Sequence, residues 1–398
     1  MPVDRPIILF GAFDRHNFGD LLLPHVMARM LAPRRLTYAG LVQCDLRGHG
    51  GHRVEAITRL ASTVGDGAVD IVHVGGEVLT CSTWEAAVML LPTEPARSVV
   101  TQLDVHPQAR MAWAQTMLGL TDLAPYLLPG QRFTNVRHIT YQAVGGFDLD
   151  RSDPAMRDEV VAKLGSATRI SVRDQKTHTI LSACGMACHL APDPAVMVAE
   201  LFRARIDARC HRGKLSALLS GFPDGYLAMQ FAADFGDDRT LTLLASEIQR
   251  ITRSTGLGVV LFRAGAAPWH DDLSCYRRLV AMGTGAPVTV FTSLNLWDIC
   301  AVIARSRGFV GSSLHGSIVA AAYALPCLGL LRPGQLPQNS KQAAFWSTWR
   351  TADLPAVVTI EALADRMQQA MATDAAERAN LARRLVDACR ADLARAPG

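Results

Sequence analysis

Short runs of apolar residues alternate along the chain with stretches whose apolar positions recur at helical spacing, which predicts strands alternating with helices. The run Ile7 to Phe10 is followed by a polar loop and by LLLPHVMARML, helical in period with Pro24 in its first turn. DIVHVGG from Asp70 reads as a buried strand ending at Gly75 and Gly76, and HITYQAVGG from His138 as another ending at Gly145 and Gly146. TRISVRD from Thr168 predicts a short strand with a helix beginning near Lys176, and HLAPDPAV from His189 closes the first half. The second half repeats the scheme with YLAMQF from Tyr226, GVVLFR from Gly258, PVTVF from Pro287, GFVGS from Gly308 and PCLGLL from Pro326. Strands separated by helices imply a parallel sheet in each half.

Three segments depart from this rhythm. Residues 81–137 contain Pro and Leu without a clear period and read as a partly helical insertion. Residues 196–222, polar and ending in GFPDG, are the expected crossover between the halves. AAERANLARRLVDACRADLAR predicts an amphipathic C-terminal helix, packed on one side and solvated on the other.

A length of 398 residues suits two domains of roughly 150–200 residues, an N-terminal one over 1–200 and a C-terminal one over 215–398. Charges interrupt every apolar run, so no stretch of about 20 apolar residues predicts a transmembrane helix. Asp4 and Arg5 precede a run too short for the core of a secretory signal, and the expected compartment is the cytoplasm. The net charge of +4 is spread without a basic block, which argues against a nucleic-acid partner. Nine scattered cysteines read as reduced, buried thiols, and Cys184, Cys188 and His189 lack the second ligand pair of a zinc site. Carboxylates near the glycine loops are single rather than clustered, so neither a metal nor a cofactor is expected.

In open parallel sheets the ligand sits beyond the carboxyl ends of the strands. Four loops there carry candidate chemistry. In GAFDRHNFGD, Asn17, Gly19 and Asp20 stand at the turn into the first helix, where Asp20 would repel a phosphate and accept hydrogen bonds from hydroxyls. A sugar fits this loop better than a nucleotide, although Asn17 and Asp20 also suit simple turn-building and capping. Gly75 and Gly76 allow close approach of backbone to ligand. Arg173, after a strand, presents a planar fork to an anion. The sharpest loop is FVGSSLHGSIVAAAYALP: Ser312 and Ser313 make a turn, and the helix beginning around His315 supplies N–H donors for an anion, with Gly316 beside them. A helix start disfavours a second positive charge, so His315 is expected as a neutral imidazole that takes a proton from a hydroxyl.

Taken in order, N-x-G-D at 17–20, the glycines at 75–76, V-R-D at 172–174, A-P-D-P at 191–194, H-D at 270–271, G-S-S-L-H-G and A-L-P at 324–326 resemble the polysaccharide pyruvyl transferase family. The resemblance runs from about residue 7 to 350 apart from the insertion. It implies a glycosyltransferase-B-like fold, two Rossmann-like parallel-sheet domains facing a cleft. It also implies transfer of pyruvate from phosphoenolpyruvate to two sugar hydroxyls as a cyclic ketal. On this resemblance His315 is the general acid or base, with Asp20 or Asp193 as the second carboxylate, and Arg173, Ser312, Ser313, Gly316 and Lys341 hold the donor. Asn17, Gly19, Gly75 and Gly76 fall to the acceptor, on the N-terminal domain. Ketal-forming members place an Arg two residues before the His, where this chain has Ser313. Loss of such a cation costs about 1.5–3 kcal/mol unless replaced, and Arg332 and Arg263, each after a second-half strand, are the candidate replacements.

Two other readings fit the same architecture. A nucleotide-sugar glycosyltransferase would need a ribose-binding carboxylate in the second domain, and no Glu stands after Gly329 where one is expected. A non-catalytic glycan- or anion-binding relative would keep the loops without the chemistry. The expected partners are a small-molecule donor and a glycan acceptor, with peripheral contact to a lipid-linked acceptor left open. Acceptor selectivity is expected in the 81–137 insertion and its neighbours.

Overall fold

A computed structural model describes residues 5–283, 285–350 and 356–395; Asp4, used in reading the N-terminus, lies outside them. The chain divides into two α/β units, Met1–Pro194 with Ala388–Gly398, and Ala195–Asp387.

The first unit is built on strands β1 (Ile7–Phe10), β2 (Leu36–Gly40), β3 (Cys44–Asp45), β4 (Arg53–Ala56), β5 (Val69–Val74), β6 (Val136–Val144), β7 (Arg169–Val172) and β8 (His189–Leu190). They form one sheet in the order β3-β4-β2-β1-β5-β6-β7-β8, parallel except for the β3–β4 pair. β1 and β5 are buried at every residue, as strands covered on both faces are; β1 is an unbroken apolar run, whereas β5 also buries Asp70 and His73. β1 lies between β2 and β5, with Ile7 opposite Leu36 on one side and Asp70 on the other. Phe10, Ile71, Tyr141 and Val172 join Tyr126 and Leu128 of the insertion in one apolar core. The insertion carries the helices Thr83–Met89, Thr93–Leu103 and Pro107–Leu118. The first of these opens with a capping box in which Ser82 and Glu85 satisfy each other's backbone N–H groups.

The second unit uses β9 (Tyr226–Gln230), β10 (Gly258–Phe262), β11 (Val288–Phe291), β12 (Gly308–Gly311), β13 (Cys327–Leu330) and β14 (Val357–Val358). The order is β11-β10-β9-β12-β13-β14, parallel throughout. Helix Asp238–Thr255 shows how sequence builds a covering layer here. Asp237 caps its start by accepting from Thr240 N, and Gly256 ends it at a left-handed φ of 71°. Leu241, Leu244, Ile248 and Ile251 form one stripe and pack with Leu227, Val259 and Val310 of the sheet.

Two expectations from the sequence are corrected and a third is extended. Residues 196–222 are no polar crossover: they form helices Val198–Cys210 and Gly213–Ser220 within the second unit. Phe202, Ile206 and Cys210 make a buried stripe at helical spacing, with Phe202 against Trp297 at 5.0 Å between rings. The C-terminal helix, Ala375–Ala394, is amphipathic as expected, burying Leu381, Leu385 and Cys389 on one side, and it adds a buried charge. Its end belongs to the first unit, where buried Asp392 ion-pairs with Arg169 and accepts from Gln142 Nε2 at 2.6 Å and Ser171 Oγ at 3.1 Å. The cysteines are free but not uniformly buried: Cys184 ends a surface helix and is exposed. No described helix is long and apolar enough to cross a membrane.

Candidate functional site

Each sheet has a point where the strand order reverses, and in parallel sheets ligands bind beyond the carboxyl ends of the strands there. In the second unit the reversal lies between β9 and β12, which pair directly. β9 ends in the buried Gln230, and β12 runs into Ser312 and Ser313. Ser313 caps helix Leu314–Ala322, its Oγ accepting from Gly316 N at 3.2 Å. That cap sets the first turn, which carries His315, 8% exposed. Gly316 has no room for a side chain, since a Cβ there would lie 2.4 Å from the Phe309 ring.

Gln230 holds the turn together. Its Oε1 accepts from Ser313 N at 2.8 Å, and its Nε2 donates to Asp271 Oδ1 at 2.6 Å. The other oxygen of Asp271 accepts from Ala264 N at 2.5 Å and Gly265 N at 3.4 Å, tying the loop after β10 to the same point. Burial pushes the Asp271 carboxyl up to about 7, against the pull of these donors and of nearby Arg263. From the other side, Gln342 donates to Ser312 O at 2.7 Å, which brings the start of helix Lys341–Trp349, with exposed Lys341, to the loop.

In the first unit the reversal lies between β1 and β5. Asn17 caps the helix Phe18–Met30, its Oδ1 accepting from Gly19 N at 3.0 Å. Asp20 is buried in the first turn of that helix, with Arg15 at 3.9 Å. Gly75 and Gly76, at φ of 43° and 75°, turn the chain after β5, and a Cβ on Gly76 would sit 3.0 Å from Asp20 Oδ1. Asn17, Gly19, Asp20, Gly75 and Gly76 therefore form one group. Beside Asn17, Asp14 accepts from Leu41 N at 2.6 Å and from the Tyr126 hydroxyl at 3.0 Å, and burial raises its carboxyl above the ordinary range.

Arg173 and Asp193 form a second group with Glu77. Arg173, 2% exposed, meets Asp193 at 3.1 Å with one nitrogen and pairs with Glu77 through another. Burial opposes its charge, but the two carboxylates outweigh burial and hold the guanidinium protonated. Arg332 is exposed after β13 and pairs with Asp234 at 3.1 Å, on the loop whose Ala232 N donates to Ser312 Oγ at 3.0 Å.

Reading the sequence alone misses Gln230, Glu77 and Gln342 as site-forming residues. A polar residue closing the buried strand YLAMQ, and an acid directly after the paired glycines, were the available signals. Gln342 gives none, because its role depends on contacts 30 and 31 residues back.

Residues 145–332 match the family model described as polysaccharide pyruvyl transferase, in keeping with the resemblance carried by the motifs. A comparison with curated protein sequences gives no match. Among solved structures the chain is similar to Anabaena Alr3699/HepE in complex with UDP-glucose, at 11% identity and TM-score 0.53, covering 98% of each chain. It is also similar to UDP-GlcNAc 2-epimerase from Methanocaldococcus jannaschii in complex with UDP-GlcNAc and UDP, at 9% identity and TM-score 0.51, covering 96% of this chain and 99% of that one. The Neisseria meningitidis UDP-GlcNAc 2-epimerase bound to UDP-GlcNAc gives 8% identity and TM-score 0.50, over 96% and 99%. At such identities the likeness is one of fold: two parallel α/β units of the glycosyltransferase-B type.

Proposed function

We propose that this chain, matched to the polysaccharide pyruvyl transferase family over residues 145–332, transfers a pyruvyl group from phosphoenolpyruvate to two hydroxyls of a glycan or glycan precursor. The observation that carries the reading is the Ser312–Ser313–His315 turn at the reversal point of the second sheet, inside the matched segment. Two C–O bonds form at C2 of the donor, and the bond from C2 to the phosphate oxygen breaks. The two hydroxyls give up their protons, one of which ends on C3 while the other leaves with phosphate.

His315 is the group we assign to this proton traffic, held at the helix start by the Ser313 cap. Phosphoenolpyruvate carries a phosphate and a carboxylate, and both demand donors and cations. Ser312, Ser313, Gly316 and Lys341 are the donor-binding group in this reading, a role supported by the Gln342 bond that brings the helix starting at Lys341 to the Ser312 turn. Asn17, Gly19, Asp20, Gly75 and Gly76 of the first unit are the acceptor-binding group in this reading, with Asp20 offering a carboxylate to hydroxyls. Arg173 and Asp193 already satisfy one another, so we assign them to holding the Glu77 loop rather than to a free donor fork.

Calorimetric titration of the full chain with phosphoenolpyruvate, beside uridine diphosphate, tests the choice of donor. Micromolar binding of phosphoenolpyruvate is expected. Binding of uridine diphosphate alone would move the assignment to a nucleotide-sugar enzyme.

A further inference from the structure

Three arginines follow strands at positions where an anionic ligand is expected, and they differ in what they already hold. Arg173 is committed to Glu77 and Asp193, and Arg332 to Asp234. Arg263, the residue directly after β10, makes no hydrogen bond or ion pair with any described residue, and its Nε is buried without a partner. A buried guanidinium N–H left without an acceptor is costly, and such groups call for a bound partner or a specific role.

The surroundings of Arg263 explain why no side chain satisfies it. Asp271, on the same loop, lies near enough for the Arg263 charge to act on its carboxyl. Its two oxygens are nevertheless taken by Gln230 Nε2, Ala264 N and Gly265 N. Swinging Asp271 over to Arg263 would strand those three donors. The network thus fixes the loop at the end of β10 and leaves the arginine fork uncommitted. β10 pairs with β9, and β9 ends at the Gln230 that holds Ser313. Arg263 accordingly follows the strand two places from β12, whose end bears the His315 turn, with only β9 between them.

We infer that Arg263 is the cation that grips an anionic group of the ligand, a carboxylate or phosphate presenting two oxygens, in place of an arginine at position 313. The planar fork suits such a bidentate partner better than a lysine would. The assignment rests on the reading that the second unit takes the anionic donor.

The test is titration of the full-length wild type, Arg263→Gln, Arg263→Lys and Arg332→Gln with phosphoenolpyruvate and, separately, with uridine diphosphate, alongside a thermal midpoint for each variant. The expected result is that Arg263→Gln binds whichever anion the wild type binds at least about tenfold more weakly, as loss of a charge-assisted pair implies. Arg263→Lys, which keeps the charge and stem, falls between, and Arg332→Gln matches the wild type. Wild-type affinity in Arg263→Gln, or in Arg263→Lys should the Gln variant not fold, overturns the inference and leaves the donor reading standing. Binding of uridine diphosphate alone overturns the donor reading, while the ratio between wild type and variant still judges Arg263. Silence of the wild type toward both anions overturns the two together.

Discussion

Asp271 and Gln230 lie 2.6 Å apart, and through that carboxamide the loop after β10 is locked to the first turn of the helix that carries His315. Replacing Gln230 with Leu keeps the strand-end volume but leaves Asp271 Oδ1 and Ser313 N without partners. Each orphaned group costs about 1–3 kcal/mol. Urea unfolding of Gln230→Leu should show a lower midpoint, and an unchanged midpoint would contradict the role given to this bridge.

Gly316 packs where no side chain fits. A Cβ would meet the Phe309 ring at 2.4 Å, and overpacking of this kind costs about 1–3 kcal/mol. Gly316→Ala should lower the thermal midpoint, and Phe309→Leu added to it should recover part of that loss. Additive destabilisation in the double variant would show that the ring is not what opposes the methyl group.

The buried Asp392 closes the C-terminal helix onto Arg169, itself 8% exposed. Removing one member of a buried pair strands the other and typically costs about 3–5 kcal/mol. Asp392→Ala should therefore destabilise the protein far more than a surface change such as Asp238→Ala, and chemical denaturation of the two variants checks this directly.

Burial depresses the His73 imidazole to about 3, while it stacks on Tyr141 at 4.0 Å and accepts from Leu128 N at 3.0 Å. The unfolded chain binds this proton from its ordinary value near 6.5 downward, and the folded chain does not until about 3. Stability from His73 is thus present above pH 6.5 and lost as pH falls toward 3, at a slope of up to about 1.4 kcal/mol per pH unit. His73→Gln should show a shallower loss than the wild type between pH 7 and pH 5 in urea unfolding, and parallel profiles would remove His73 as the cause.

Much of the fold was legible because both sheets are parallel and covered. IILF, VDIVHV and GVVLF are buried at every position, and such strands announce themselves as mainly apolar runs, Asp70 and His73 being the polar exceptions. β2 and β4 escaped notice because their residues are only partly buried and carry no such run. The polar look of 196–222 hid a helix whose buried face is only one stripe wide. The GSSLHG turn was readable because small residues, a cap and a histidine follow one strand in immediate succession. Gln230 and Asp392 were not, because their meaning lies in partners remote along the chain: Gln142 and Asp392 are 250 residues apart. Arg173 looked like an open fork since nothing local reveals that Glu77, 96 residues before it, answers its charge.

The most direct test of pyruvyl transfer is phosphate release from phosphoenolpyruvate, measured with the full chain against a panel of free, nucleotide-linked and lipid-linked sugars, with product masses recorded. The account predicts release that requires a sugar, yields a pyruvylated product and disappears in His315→Ala. Release that is indifferent to sugar, or undiminished in His315→Ala, would contradict it.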